Sequence, residues 1–424
     1  MNRVCLLAAL LVQAGLVACG SQTTPSMMMP SPIVMQDERL DFARIVQPEN
    51  RRTEVSVLFA TTRTPAPPEA AERFTHHAGD TVRLGVAQVQ LGEPGWSFDE
   101  LSKSDRTSGL EEQRPARVVA VKEFGIVGGP ESDADRDFIV AIDRQLATSL
   151  SGSVVIYVPG YLTTFNQVMV LMGSWAHFLG RQSPVIAFSW PTGTSMWNYF
   201  TDCPRARAFV PDIARLIALV AERSKARRLN LVGFSCGSPL LAEALVHLRD
   251  AHRNEDHEAL QRRFRIANAI FLAADIDLQT FARSHLPPIL DIARRTEVYV
   301  SENDGALQAS AILARASRLG RPNFDELSRE DLATLANNER LVGIDVTGVY
   351  GAHELTGMRG HGYWIANQRV SSDVLLSMVY PFDPAWRGLV HGPGRGLWNF
   401  PDDYPQRVGG AVHERVPELR LMGR

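Results

Sequence analysis

Residues 232–238 read Val-Gly-Phe-Ser-Cys-Gly-Ser, and the fold turns on how this stretch is read. Gly233-Phe234-Ser235-Cys236-Gly237 fits G-x-S-x-G, a string too short to mean much alone. Its setting gives it weight. The apolar run LNLV (229–232) predicts a strand directly before it, and PLLAEALVHLRD (239–250) an amphipathic helix directly after it. Strand, tight turn, helix is the placement of a nucleophile elbow. Such a turn holds its serine in a strained backbone conformation, and glycines on either side let the neighbouring chain pass. Ser235 would then sit at a helix N-terminus, where the dipole favours developing negative charge. The amide of Cys236 can serve as an oxyanion donor. Ser235 is the candidate nucleophile. The competing readings are a structural Gly/Ser turn and, less fitting at one step past the apex, Cys236 as a thiol nucleophile.

Outward from the elbow, the same alternation recurs. VVIYVPG (154–160), PVIAFSWP (184–191), LNLVGFS (229–235), IANAIFLAADID (266–277), EVYVSEND (297–304) and LVGIDV (341–346) are apolar, β-branched runs. Helical patterns separate most of them: 133–150, 166–180, 206–226, 239–250 and 305–317. Continuous apolar strands alternating with helices predict βαβ units, hence a mostly parallel, doubly wound sheet with helices on both faces. Three earlier runs, 55–62, 82–91 and 116–124, predict extra N-terminal strands. Ligands of such sheets bind at the carboxyl ends of the strands. The positions to inspect are Gly160, Trp190, Ser235, Asp275 and Asp304.

A serine nucleophile needs a base, and with this elbow the chain order is serine, acid, histidine. Four histidines follow the last long strand. His391 and His413 lie in a Gly/Pro-rich tail; His353 and His361 lie on the loop after LVGIDV. His361, in Gly-His-Gly-Tyr-Trp, has small neighbours that let an imidazole reach inward, so it leads and His353 follows. Asp304 ends the strand EVYVSEND just before a helix and is the first candidate acid, although it can equally be only the N-cap of that helix. Asp275 and Asp277, one strand earlier, are the alternatives, or hold their loop by hydrogen bonds. A second oxyanion donor belongs to the loop PGYLTTF (159–165), from the amide of Tyr161 or Leu162. Thr163 and Thr164 read as helix caps, and Trp190 as a pocket wall or a core aromatic.

The N-terminus stands apart. Arg3, an apolar run from Val4 to Val12 and small residues before Cys19 have the layout of a secretory signal, too short for a stable membrane span. Leu16-Val17-Ala18-Cys19 resembles a bacterial lipobox, which implies lipidation of Cys19; Gly20 after it, as in Gram-negative lipoproteins, implies the outer membrane. Residues 19–50, rich in Ser, Thr, Pro and Met, read as a flexible tether. Past the signal and Cys19, Cys203 and Cys236 remain and are expected as unpaired thiols. No spacing of Cys, His and carboxylates fits structural zinc. With 45% hydrophobic residues, 21% charged and a net charge of −3, the 424-residue chain has an ordinary globular balance and no electrostatic call for nucleic acid.

Taken together, VSVLFATTR, VVIYVPGYLTTF, IAFSWPTG, LNLVGFSCG, LAADID, VSENDGAL and GHGYW resemble the α/β-hydrolase superfamily, and within it a bacterial group of largely uncharacterised esterase-like proteins. The likeness runs from about Val55 to Asp373, with departures at Pro159, Phe234 and Cys236. It implies Ser235 as nucleophile, Asp304 as acid and His361 as base, acting on a small-molecule ester without metal or organic cofactor. The expected layout is a signal peptide (1–18), the tether (19–50), an α/β-hydrolase domain (51–380) and a C-terminal tail of unknown role (381–424), with the membrane reached through the lipid. Oligomeric state stays open. A non-catalytic envelope lipoprotein using the scaffold for binding is the rival reading. No long lid-like insertion interrupts the core blocks, which favours small or soluble esters.

Overall fold

The computed structural model describes residues 27–107, 114–128, 132–336, 338–349, 360–392 and 396–421. The signal segment, Cys19 and His353 lie outside the described residues. Among the described residues one sheet of eleven strands organises the fold: β1 Glu54–Pro65, β2 Phe74–Leu91, β3 Ala116–Ile126, β4 Ser153–Val158, β5 Val185–Ser189, β6 Arg228–Phe234, β7 Ile266–Leu272, β8 Ala293–Val300, β9 Leu341–Asp345, β10 Val390–His391 and β11 Trp398–Asn399. Their spatial order is β10-β11-β9-β8-β7-β6-β4-β5-β1-β2-β3. From β1 across β5, β4, β6, β7, β8 and β9 to β11 every pairing is parallel, while β2 and β3 extend the β1 edge as antiparallel strands. This is the α/β-hydrolase fold, with extra N-terminal strands.

The central strands are apolar on both faces because both faces are covered. In β4, Val155 and Tyr157 join one core, and Val154, Ile156 and Val158 join the other. The first core takes helices α2 (Phe165–Phe178), α7 (Gln368–Val379) and α8 (Tyr404–Arg415). The second takes α1 (Asp133–Leu146), α4 (Val210–Arg223) and α5 (Gly237–Ala251). Two further helices, α3 (Tyr199–Arg205) and α6 (Gly305–Ala314), follow β5 and β8 and reappear at the site. No helix among the described residues is long and apolar enough to cross a membrane.

The described part of the expected tether is built into the domain, and so is the described part of the C-terminal segment, whose role the sequence leaves open. From Met27 to Asn50 the backbone is folded onto the domain rather than tethered. Met28, Met29, Val34, Met35 and Leu40 are buried in the first core, the Val34 amide donates to Ser372 Oγ (3.1 Å), and Gln368 Nε2 donates to the Ser31 carbonyl (2.7 Å). Methionine is unbranched and adaptable, so a run that reads as a linker by composition fills an irregular seam instead. The segment after residue 381 is likewise structural. Its β11 adds to the sheet edge at β9, and α8 closes one face.

A buried charge cluster joins this segment to the sheet. The Arg387 guanidinium lies between Glu297 on β8 (2.8 Å) and Asp373 on α7 (2.8 Å), all three wholly inaccessible to water. Tyr299 donates its hydroxyl to Asp373 (2.6 Å). Arg387 serves both carboxylates, and Arg295 adds a longer contact to Glu297 (3.8 Å). Burial, with the like charge of Glu297 behind it, pushes Asp373 up to about 6 in spite of Arg387.

Candidate active site

β6 delivers Ser235 to the carboxyl edge of the sheet, and α5 begins directly after it. The turn between them holds Ser235 at φ 51°, in the left-handed region that residues with a Cβ avoid. Close packing enforces the turn. A Cβ on Gly237 would lie 2.2 Å from the Val158 carbonyl oxygen, and one on Gly233 2.9 Å from the Ser238 Cα. The Ser235 amide donates to the Leu272 carbonyl (3.0 Å), fixing the elbow to β7.

His361 approaches from the turn that precedes a short helix, Tyr363–Ala366. Its Nε2 lies 2.7 Å from Ser235 Oγ, and its Nδ1 lies 2.7 Å from Asp304 Oδ2. All three side chains are buried. Asp304 is placed for both tasks the sequence leaves open: Oδ2 faces the imidazole while Oδ1 accepts from the Leu307 amide (2.9 Å) as N-cap of α6. With Nδ1–H held by the carboxylate, the tautomer that presents a bare Nε2 to the serine is the favoured one. The Phe234 ring lies tilted against the His361 ring, with centroids 5.2 Å apart.

The other candidates are placed elsewhere. Asp275 accepts from the Tyr199 hydroxyl and from Ser310 Oγ (2.7 Å) and pairs with Arg318 (3.2 Å). Asp277 caps the next turn through the Thr280 amide (2.7 Å). His391 lies on β10 against Trp398, and His413 in α8. Cys236 is not a free thiol. Contrary to the expectation of unpaired cysteines, it forms a disulfide with Cys203 of α3, the Cα atoms 5.8 Å apart. Thirty-three residues separate the two along the chain, and only the fold brings α3 over the elbow.

The loop after β4 packs its backbone against the serine: a Cβ on Gly160 would come within 3.0 Å of the Ser235 Cβ. Tyr161 packs its ring edge-on against Tyr199 (5.4 Å), and Leu162 takes φ 61°. Thr164 is the cap of α2, as expected. Trp190 is a core aromatic, wholly buried, whose indole N–H holds the Pro159 carbonyl (2.8 Å). Thr192 Oγ1 accepts from the Thr163 amide (3.1 Å) and donates to the Thr163 carbonyl (2.9 Å).

Two residues escaped the sequence reading. Arg63, at the end of β1, is buried, and its guanidinium donates to neutral acceptors: Thr163 carbonyl (2.7 Å), Ser189 Oγ (3.0 Å) and Thr75 carbonyl (3.2 Å). Burial lowers its guanidinium to about 10, still cationic at neutral pH. It pins the loop 159–164 from behind. Tyr363, two residues after His361, donates to the Tyr299 carbonyl (2.9 Å) and accepts from the Ala273 amide (2.7 Å), tying the histidine turn to β8 and to the loop after β7. The only signal for either was membership in the blocks VSVLFATTR and GHGYW. Among the described residues no cluster of three or more His, Cys, Asp or Glu is placed to hold a metal ion.

Residues 135–377, more than half of the chain, match the model of a family described as alpha/beta hydrolase of unknown function (DUF900). The chain belongs to this family. No curated protein matches it in sequence. Among solved structures, Thermogutta terrifontis esterase 2 phosphoramylated by tabun is 12% identical, covering 53% of this chain and 79% of its own, with a TM-score of 0.29. A protein described as a cell-surface hydrolase, from Lactobacillus plantarum WCFS1, is 11% identical, covering 55% and 98%, with a TM-score of 0.28. What this α/β-hydrolase does rests on its own side chains.

Proposed function

We propose that the protein is a serine hydrolase of carboxylic esters, with Ser235 as nucleophile, His361 as base and Asp304 as the acid that orients it. The observation that carries the reading is the unbroken relay from Ser235 Oγ through His361 to Asp304, 2.7 Å at each step, on an elbow with a strained serine. His361 Nε2 takes the serine proton as Oγ bonds to the ester carbonyl carbon, and the carbonyl π electrons move onto oxygen. The amides of Cys236 and Tyr161 receive this oxyanion. When the C–O bond breaks, the alcohol leaves with the proton from His361. Water then attacks the acyl-enzyme, giving its proton to His361, which returns it to Ser235 as the acid departs. Each step is closed by groups of this chain. Ser235→Ala tests the reading: turnover of p-nitrophenyl acetate disappears while the circular dichroism of the fold persists. A variant that keeps its turnover contradicts it.

We also propose export and anchoring in the cell envelope through lipid on Cys19, in the outer membrane of a Gram-negative bacterium facing the periplasm. The Cys203–Cys236 disulfide supports an oxidising compartment. Radiolabelled palmitate should enter the full-length protein and not Cys19→Ala; equal labelling, or none in either, contradicts the anchor.

A further inference from the structure

Exposed large apolar side chains gather at one edge of the molecule. Of the twelve among the described residues, Leu162, Trp197, Phe200, Ile312 and Leu313 lie on segments that follow the carboxyl ends of β4, β5 and β8. That is the edge at which β6 presents Ser235. Except for Leu162, each leaves half or more of its surface in water. Single exposed leucines are ordinary, but a concentration beside a reactive group marks a binding surface.

Between α3 and α6 lies a cavity of about 400 Å³, with Phe200 and Leu313 both on its wall. Ser235, His361 and Asp304 are not in its wall, but residues that adjoin the reaction centre are, on two sides. Cys236, the peptide neighbour of Ser235, lines it, as does Asp275, whose amide donates to the Ser235 carbonyl (3.4 Å). On the other side its wall residue Tyr199 packs on Tyr161 of the loop after β4. The cations in this wall are already paired, and its carboxylates are engaged. Asp275 holds Arg318, Tyr199 and Ser310; Arg207 pairs with Glu243 (3.0 Å); Asp277 caps its own turn. Burial, with Arg207 nearby, lowers the His285 imidazole and disfavours its cation. The cavity therefore offers an apolar lip and no unpaired guanidinium to draw an anion.

The geometry points to this cavity as the site of the substrate's acyl chain, and so to esters of medium- or long-chain fatty acids as the substrate class. The inference rests on the hydrolase reading above and deepens it. It reverses the preference for small esters drawn from the missing lid: α3, stapled to the elbow by the disulfide, supplies the wall a lid would supply. Leu313 and Phe200 are the specificity-determining residues.

The test is a p-nitrophenyl ester series from acetate to decanoate on the full chain. Each methylene that enters the cavity raises kcat/KM about fourfold, so butyrate exceeds acetate by more than about tenfold. In Leu313→Ser and Phe200→Ser the octanoate-to-acetate ratio falls by about tenfold, and both positions are exposed enough to fold normally. Val140→Ser, an exposed apolar residue on α1, keeps the wild-type ratio. Acetate turned over with a flat or falling chain-length profile overturns the acyl site alone. So does a profile unmoved by both serine variants. Wild-type protein that turns over no ester of the series overturns the hydrolase reading as well.

Discussion

Asp304→Asn separates two tasks performed by one carboxylate. Oδ1 caps α6 through the Leu307 amide and Oδ2 faces His361 Nδ1. An asparagine has one oxygen for these two positions. Turned with oxygen toward His361, its NH2 would face the Leu307 N–H, leaving a buried donor unsatisfied at about 1–3 kcal/mol. Turned the other way, the cap survives and the NH2 meets Nδ1, which must then accept. The second arrangement wins, and it moves the imidazole proton to Nε2, where it points at Ser235 and cannot take its proton. Asparagine caps as well as aspartate, so stability should move by less than about 1 kcal/mol. The turnover number should fall about 10⁴-fold, equivalent to roughly 5 kcal/mol of barrier, with KM little changed. The assay is a Michaelis curve on p-nitrophenyl butyrate beside a urea melt. Asp304→Asn retaining more than a tenth of wild-type kcat, at normal stability, would show that Asp304 is only a helix cap.

Other outcomes follow from the same geometry. Arg63→Met frees the Thr163 carbonyl from its cationic clamp, so kcat should fall about tenfold or more while KM for a short ester holds within about threefold; a change confined to KM would refute the clamp. Cys203→Ser, or mild reduction, releases a crosslink across a 33-residue separation and should lower unfolding free energy by about 3–4 kcal/mol in a denaturant titration; an unmoved midpoint contradicts the bond. Asp373 is raised from 3.8 to about 6 in the fold, so the native state holds its proton more tightly than the unfolded chain. Its contribution favours the fold at low pH and is lost as pH rises from about 4 to 6, by roughly 3 kcal/mol. Asp373→Asn should therefore gain on wild type across that window in urea melts at stepped pH, and parallel curves would sink the assignment.

The sheet was legible because strands buried on both faces must be continuously apolar, and VVIYV or AIFLA can hardly be anything else. The elbow was legible because its glycines answer to backbone clashes that any such turn produces. Asp304 was legible as a position but not as a function: cap and orienting acid call for the same residue at the same place, and only its two separately engaged oxygens place it for both. Met28 to Met35 misled, since composition measures how easily a segment can stay solvated, not whether a seam exists to receive it. The Cys203–Cys236 bond could not be read from spacing, because it depends on how the connection after β5 folds back over the elbow. Arg63 stayed silent for a related reason. Its partners are two backbone carbonyls and a serine hydroxyl brought together from three different segments, and such partners leave no pattern in the sequence.

The most direct measurement is covalent labelling. A fluorophosphonate reacts with a serine whose proton is removed by a neighbouring base and ignores an ordinary hydroxyl. Incubated with the folded protein and mapped by peptide mass spectrometry, it should modify Ser235 with one adduct per chain, and His361→Ala should abolish the adduct. A folded protein that remains unlabelled at Ser235, or that labels equally well without His361, would contradict the account.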